Sequence, residues 1–331
     1  MGNRFSASRM TKRVRRVNTT DQGDISSGTM NTHQEGALVT DTITATNLTA
    51  LGLSREFHNE ESSTYWLPKD DEEQMRLTGQ HFAIKDLYGG NVLSGVINTL
   101  DFEKGITILD MGCGSGAWIM DMMRDYPNCT YHGCDISDTR YKKVNIEKFI
   151  FTCGNVVKGL PYEDNTFDFV HMRLLVLALR EEEWPTAISE LIRVTKPGGM
   201  IQLLEMDLRQ QQEDDPSGAL YKVGLAVRNI CTSKGQNPSI GTEFEKMLSK
   251  YSNIKIIQSD DRSCDMSTGT NTAKLFIWDS LQVLKSMRPV LALKLGLKTD
   301  EEYDSFSKEF EHHIKTKESR CFYNSIAVQK L

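Results

Sequence analysis

The sequence predicts a doubly wound α/β fold with a mostly parallel, seven-stranded sheet and a helical insertion before the last strand. Three observations carry that expectation. An apolar run ends in an acid and meets a glycine turn, a strand–helix rhythm repeats behind that turn, and a final strand-like run is parted from its hairpin partner by a helical block.

The first observation is the segment from Ile106 to Asp110 followed by Met111-Gly112-Cys113-Gly114-Ser115-Gly116-Ala117-Trp118. It reads as strand, turn and helix. Gly112, Gly114 and Gly116 carry no Cβ, so the backbone can turn sharply and approach a ligand, while the helix opening near Ala117 aims free N–H groups at it. Gly112, Gly114 and Ala117 also fit the dinucleotide-binding pattern, so the turn alone leaves the nucleotide-like ligand open.

The rhythm continues in order. Trp118, Ile119, Met122 and Met123 mark a helix ending near Tyr126-Pro127-Asn128, and the next strand, 130 to 136, carries Asp135 at its C-terminal end. An acid about twenty residues beyond a glycine turn can accept hydrogen bonds from both hydroxyls of a ribose. A third strand, 149 to 152, leads into Gly154-Asn155-Val156, and a fourth, 167 to 172, ends at His171-Met172. Trp184, Ile188, Leu191 and Thr195 form a helical stripe that stops at Lys196-Pro197-Gly198-Gly199, after which a fifth strand, 200 to 204, runs into Glu205. Right-handed crossovers then place the ligand outside the strand C-termini, where Asp110, Asp135, Asn155, His171 and Glu205 fall.

The flanks are less regular. A helix is expected from Asp70 to Gly89-Gly90 with Met75, Phe82, Ala83 and Leu87 on its apolar face, then a segment with Val92, Val96 and Leu100. After the fifth strand come a helical stripe from Leu220 to Cys231, a helix around Phe244 to Leu248 and a strand from 253 to 258. Residues 272 to about 316 read as mostly helical, with a capping box of Thr299 and Glu302, and 321 to 328 returns as an antiparallel strand beside 253 to 258.

Composition bounds the function classes. The chain has 331 residues, 39% hydrophobic and 25% charged, enough for one large core. It shows no membrane-length apolar run and no apolar signal-peptide core, which predicts an intracellular, cytoplasmic or nuclear protein. Seven scattered cysteines without C-x-x-C spacing predict packed thiols and no metal site. A net charge of −6 argues against general nucleic-acid binding. Residues 1 to 60 are polar and aperiodic and read as a disordered leader ahead of a domain spanning 61 to 331. Met1-Gly2-Asn3-Arg4-Phe5-Ser6 fits the N-myristoylation pattern, and the basic cluster behind it, Lys12-Arg13-Val14-Arg15-Arg16 included, supplies a second signal for weak membrane association. The same run also reads as a nuclear-import patch or a solubilising tail.

Taken together, Asp110-x-Gly112-x-Gly114-x-Gly116, Asp135, Gly154-Asn155-Val156, Leu160-Pro161, Phe167-Asp168-Phe169-Val170 and Lys196-Pro197-Gly198-Gly199 resemble a class I S-adenosylmethionine-dependent methyltransferase over residues 105 to 207. Residues 208 to 331 would then be its C-terminal part with a helical cap. Tyr65-Trp66-Leu67-Pro68, Asp70-Asp71-Glu72-Glu73-Gln74, His171-Met172-Arg173 and Glu205 are similar to the fungal branch that includes the velvet-complex regulator of secondary metabolism.

The resemblance implies a Rossmann-like methyltransferase fold. It gives the glycine loop (Gly112, Gly114, Gly116) to the methionine part of S-adenosylmethionine, Asp135 to the ribose and Asn155 with Val156 to the adenine edge. Asp110 can pair with the cofactor's ammonium, where a dehydrogenase usually has an apolar residue. The sulfonium already activates the methyl group, so the acceptor leaves little trace in the sequence. His171 is the candidate general base, with Glu205 orienting acceptor or cofactor, Arg173 facing the pocket, and Tyr65, Trp66 and Trp278 as candidate pocket aromatics. Two functions stand: methyl transfer to a small-molecule or protein acceptor, or a cofactor-binding regulator with protein partners and little turnover. A nicotinamide dehydrogenase is the third.

Overall fold

The computed structural model describes residues 55–57, 63–138, 148–210 and 215–331. The expectations for Gly2, the basic cluster and most of the leader lie outside the described residues. Arg55, inside the span assigned to the leader, donates to Asp70 Oδ1 at 2.8 Å, and Glu56 O accepts the Lys69 N–H at 2.7 Å.

The chain runs through α1 (Asp71–Tyr88), α2 (Ser94–Ile97), β1 (Thr107–Met111), α3 (Ala117–Asp125), β2 (Thr130–Asp135), β3 (Phe149–Cys153) and β4 (Phe167–Arg173). It continues through α4 (Trp184–Val194), β5 (Thr195–Asp207), α5 (Ala219–Ser233), α6 (Phe244–Leu248), β6 (Ile254–Asp265), α7 (Asn271–Leu295), α8 (Asp300–Thr316) and β7 (Arg320–Lys330). The seven strands lie in the order β3-β2-β1-β4-β5-β7-β6. β1 to β5 pair in parallel, and β7 is antiparallel to both β5 and β6. The order reverses between β1 and β4, which opens a crevice at their C-terminal ends. The hairpin across the insertion forms as expected, with α7 and α8 as the inserted block.

Three local expectations are corrected. The fifth strand, expected over 200 to 204, runs from Thr195 to Asp207 and takes Lys196-Pro197-Gly198-Gly199 into the sheet. Thr195 already pairs with Phe167, the register shifts before Phe169, and Gly198 at φ 78° accommodates the irregularity within β5. β6 does not stop near Gln258 but follows β7 as far as Asp265, because β7 offers partners back to Arg320.

The third correction is the largest. α1, capped by Asp70 on the Glu73 N–H, exposes Met75 (61%) and Phe82 (44%), while Glu73, Arg76, Gln80 and His81 are buried beside Ala83 and Ile84. Of the four residues expected on the apolar face, Met75 and Phe82 thus point outward, while Ala83 is buried and Leu87 packs partly buried against the core. The inward polar residues pay for their desolvation by pairing with partners from α3 and α7: Arg76 Nη1 donates to Asp279 Oδ1 at 2.9 Å, and His81 Nε2 lies 3.1 Å from Asp121 Oδ2.

Candidate active site

The glycine turn is built by β1 and β2 together. Gly112 N donates to Cys134 O at 2.7 Å, and Gly114 N donates to Asp135 Oδ2 at 2.9 Å, so the acid at the end of β2 clips the turn at the end of β1. All three glycines have positive φ. A Cβ on Gly116 would lie 2.7 Å from the Phe149 ring, whereas one on Gly114 would meet nothing within 4 Å. Gly116 is thus a packing requirement at the start of α3, and Gly114 is an opening. It faces a cavity of about 180 Å³ lined by Asp110, Gly112, Gly114, Asp135, Asn155, Val156 and Arg173. Gly116 does not line it.

Asp135 also accepts from Ser137 N at 3.2 Å, and burial raises its pKa against the pull of these backbone N–H groups. A carboxylate has about four lone-pair sites, so with the Gly114, Ser137 and Ile136 N–H groups bound one remains for a ligand hydroxyl. Asn155 Oδ1 accepts the Val157 N–H at 2.9 Å, leaving one lone pair and the amide N–H₂ for a ligand edge.

His171 departs from the general-base expectation. It pairs in register with Asp110 across β1 and β4, its Nδ1 lies 2.8 Å from Asp110 Oδ1, and its ring stacks on Trp118 at 4.1 Å and 7°. Burial lowers its pKa despite Asp110, which keeps the imidazole neutral, and it does not line the cavity that holds Asp110. Its geometry is that of a donor that aims the Asp110 carboxylate.

Glu205 is also behind the wall. It is 1% exposed, its two carboxylate oxygens accept the Leu175 N–H at 2.7 Å and the Val176 N–H at 3.0 Å, and burial pushes its pKa up to about 8. The loop it holds begins at Leu174, a non-glycine residue at φ 58°, a backbone state that persists only where its surroundings enforce it. The expected contact of Glu205 with a ligand is replaced by a hold on the loop that supplies one.

Arg173 does line the cavity. Its Nη2 lies 3.1 Å from His81 Nδ1. Burial, then the Arg173 charge, lowers the His81 pKa to about 3, so His81 is neutral, accepting from Arg173 and donating to Asp121. Lys85 Nζ and Asn91 Nδ2 also donate to Asp121 Oδ2 at 2.6 and 2.7 Å, and Arg124 Nη2 lies 2.8 Å from Asp121 Oδ1. Neither His81 nor Asp121 stood out in the sequence. The i, i+4 spacing of His81 and Lys85 on α1 was the trace of the former, and Asp121, on α3, left none.

A second cavity of about 240 Å³ lies among α1, α5, α7, the end of β5 and β7. Its walls are mostly apolar, with Arg76, Asp279 and Tyr323 among the polar exceptions, and none of these three was singled out in the sequence. It shares Tyr65, Leu77, Gln80 and Leu174 with the first cavity. Of the expected aromatics only Tyr65 lines either cavity. Trp66 is buried in the core, and Trp278 is 38% exposed against Gly79. Among the described residues no cluster of three His, Cys, Asp or Glu is arranged to hold a metal ion.

Residues 108–199 match the family model described as a methyltransferase domain. Methyltransferase grgD of a Penicillium species is 27% identical over 59% of this chain and 70% of its own length. The secondary metabolism regulator laeA of Coprinopsis cinerea is 31% identical over 46% of this chain and 38% of its own. N-methyltransferase sirN of Leptosphaeria maculans is 29% identical over 54% of this chain and 62% of its own. The chain thus spans less than two thirds of the length of the latter two. S-adenosylmethionine is the cofactor of this domain, and the first cavity fits it. The open Gly114 position is a cradle that any Cβ would begin to fill, and Asp110 and Asp135 line the same cavity with carboxylates, the acceptor chemistry that an ammonium and a ribose hydroxyl call for. The reading as a regulator without turnover is not favoured.

Proposed function

We propose that this S-adenosylmethionine-dependent methyltransferase places its methyl group on a nitrogen of a largely apolar small molecule seated in the second cavity. The cofactor supplies, when bound, a methyl group already activated on a sulfonium. The protein's own work is to hold two molecules in line and to exclude water, an effect worth up to ~7 to 11 kcal/mol. The glycine turn, Asp110 and Asp135 hold one partner, and the apolar walls between α5 and α7 hold the other.

The observation that carries this reading is the shared wall: Tyr65, Leu77, Gln80 and Leu174 border both cavities, so a group reaching over Leu174 passes from one to the other. Glu205 fixes the loop on which Leu174 sits, and His171 fixes the Asp110 carboxylate. Nitrogen as the accepting atom follows from relatives named as N-methyltransferases, sirN among them.

The test is transfer of labelled methyl from S-adenosylmethionine into a cell extract, sorted into protein, nucleic-acid and small-molecule fractions, with Gly114→Arg as the blank. Label in the small-molecule fraction, on nitrogen, supports the proposal. Label confined to protein or nucleic acid, or on oxygen or carbon, contradicts it.

A further inference from the structure

The second cavity has one polar end. Asp279, from the middle of α7, is 3% exposed and lines it. Its Oδ1 accepts from Arg76 Nη1 at 2.9 Å and its Oδ2 from Gln80 Nε2 at 3.2 Å, so each oxygen keeps a free lone pair. Arg76 does not neutralise it alone, because its Nε and Nη2 also donate to Glu73 Oε1 at 2.8 and 2.7 Å. Two carboxylates thus share one guanidinium. Tyr323, 1% exposed, lines the same cavity, and its hydroxyl is buried with no hydrogen-bond partner among the described residues. An unmet buried hydroxyl carries a desolvation cost that a ligand meeting it would recover.

Apart from Arg76, the arginines of the same cavity are engaged elsewhere, and two of them lie nearer solvent. Arg209 pairs with Asp207, Arg320 with Glu318 and, at 3.9 Å, Asp265, while Arg228 donates to Gln210 Oε1 at 2.6 Å and to Leu208 O at 3.4 Å. The side chains of Arg209 and Arg320 are 45% and 40% exposed, against 4% for Asp279.

We propose that Asp279 and Tyr323 are the specificity-determining residues of the acceptor cavity, anchoring a basic amine on an otherwise apolar acceptor. This rests on the second cavity being the acceptor site. The carboxylate takes the N–H of the amine and the Tyr323 hydroxyl completes its shell, while the aliphatic and aromatic walls cover the rest of the molecule. Gln80, bonded to Asp279 and bordering both cavities, sets this anchor beside the shared wall.

The experiment is calorimetric binding of three probes of matched shape, phenethylamine, 2-phenylethanol and 3-phenylpropionate, to the full-length protein saturated with S-adenosylhomocysteine. Phenethylamine is expected to bind about tenfold more tightly than the other two, the scale of one hydrogen bond to a charged group. Asp279→Asn is expected to bring the amine within about twofold of the alcohol. Tyr323→Phe strands no partner and folds, and it is expected to cost the amine a few-fold. Gly224→Phe marks the location: a Cβ there meets only Arg228 Nη1, at 3.9 Å, so the ring extends into the cavity and should abolish binding of every probe while S-adenosylhomocysteine still binds. Equal affinities, a preference for the carboxylate, or an amine preference untouched in both Asp279→Asn and Tyr323→Phe would overturn the anchor. Failure of all three probes, or binding indifferent to Gly224→Phe, would overturn the cavity assignment and the anchor with it.

Discussion

The two cavities are built by opposite means. The first is a backbone construction: strand ends and a glycine turn present N–H groups, and Asp110 and Asp135 occupy register positions fixed by the parallel ladder, Asp110 between β2 and β4 and Asp135 beside β3. The second is a side-chain construction, walled by helices whose buried charges satisfy one another through contacts between residues two hundred positions apart, as Arg76 and Asp279 do. Substitutions in the first should therefore change ligand affinity at little cost in stability, and substitutions in the second should do the reverse unless they respect the network.

The largest effect expected is at Arg76. Arg76→Met leaves Glu73 and Asp279 buried without their shared partner, and a broken buried pair costs about 3 to 5 kcal/mol. Denaturant unfolding should show a loss of that size, and a change under 1 kcal/mol would break the contrast. Asp135→Ala is the counterpart in the first cavity: S-adenosylhomocysteine affinity should fall by about tenfold or more while the unfolding midpoint moves little.

His171→Asn sharpens the roles inside the sheet. It removes the titrating ring but retains an N–H donor near Asp110. A general base contributes about 10²- to 10⁴-fold. Here the variant should lose no more than about tenfold in transfer rate, with an unchanged pH profile, and a larger loss at saturating cofactor would restore His171 as the base.

Glu205 gives a pH signature. Its carboxyl holds its proton up to about 8 in the folded protein, against 4.5 when unperturbed. Between those values the folded state binds the extra proton, so stability falls as pH rises through that window. The wild type should lose more stability between pH 5 and 8 than Glu205→Gln. Equal slopes would mean that the buried carboxyl is not protonated.

The smallest effect expected is at Met75. Although it lies on the face a helical pattern would bury, Met75→Lys should shift stability by less than about 0.5 kcal/mol.

The same contrast explains what could be read from the chain. The doubly wound sheet, the insertion before β7 and most of the residues named from the sequence that line the first cavity were legible because a glycine turn, a strand-end acid and an apolar strand each leave a local pattern. β6 and the Lys196–Gly199 segment outran their local pattern because β7 and β4 supply long-range partners. α1 was misread for a deeper reason. Hydrophobic periodicity assumes that the inward face is apolar, and here it carries Glu73, Arg76, Gln80 and His81, whose partners come from α3 and α7. Glu205 and His171 were found as polar residues at strand ends, but only the fold reveals that both act on neighbours, one on the Leu174 loop and one on Asp110.

The most direct test of the two-cavity account is a paired measurement on Gly114→Arg and Gly224→Phe: S-adenosylhomocysteine affinity by calorimetry, and labelled methyl transfer into the small-molecule fraction. The account predicts that Gly114→Arg loses both, and that Gly224→Phe keeps wild-type cofactor affinity while losing transfer. Full transfer by Gly224→Phe, or cofactor binding retained in folded Gly114→Arg protein, would contradict it.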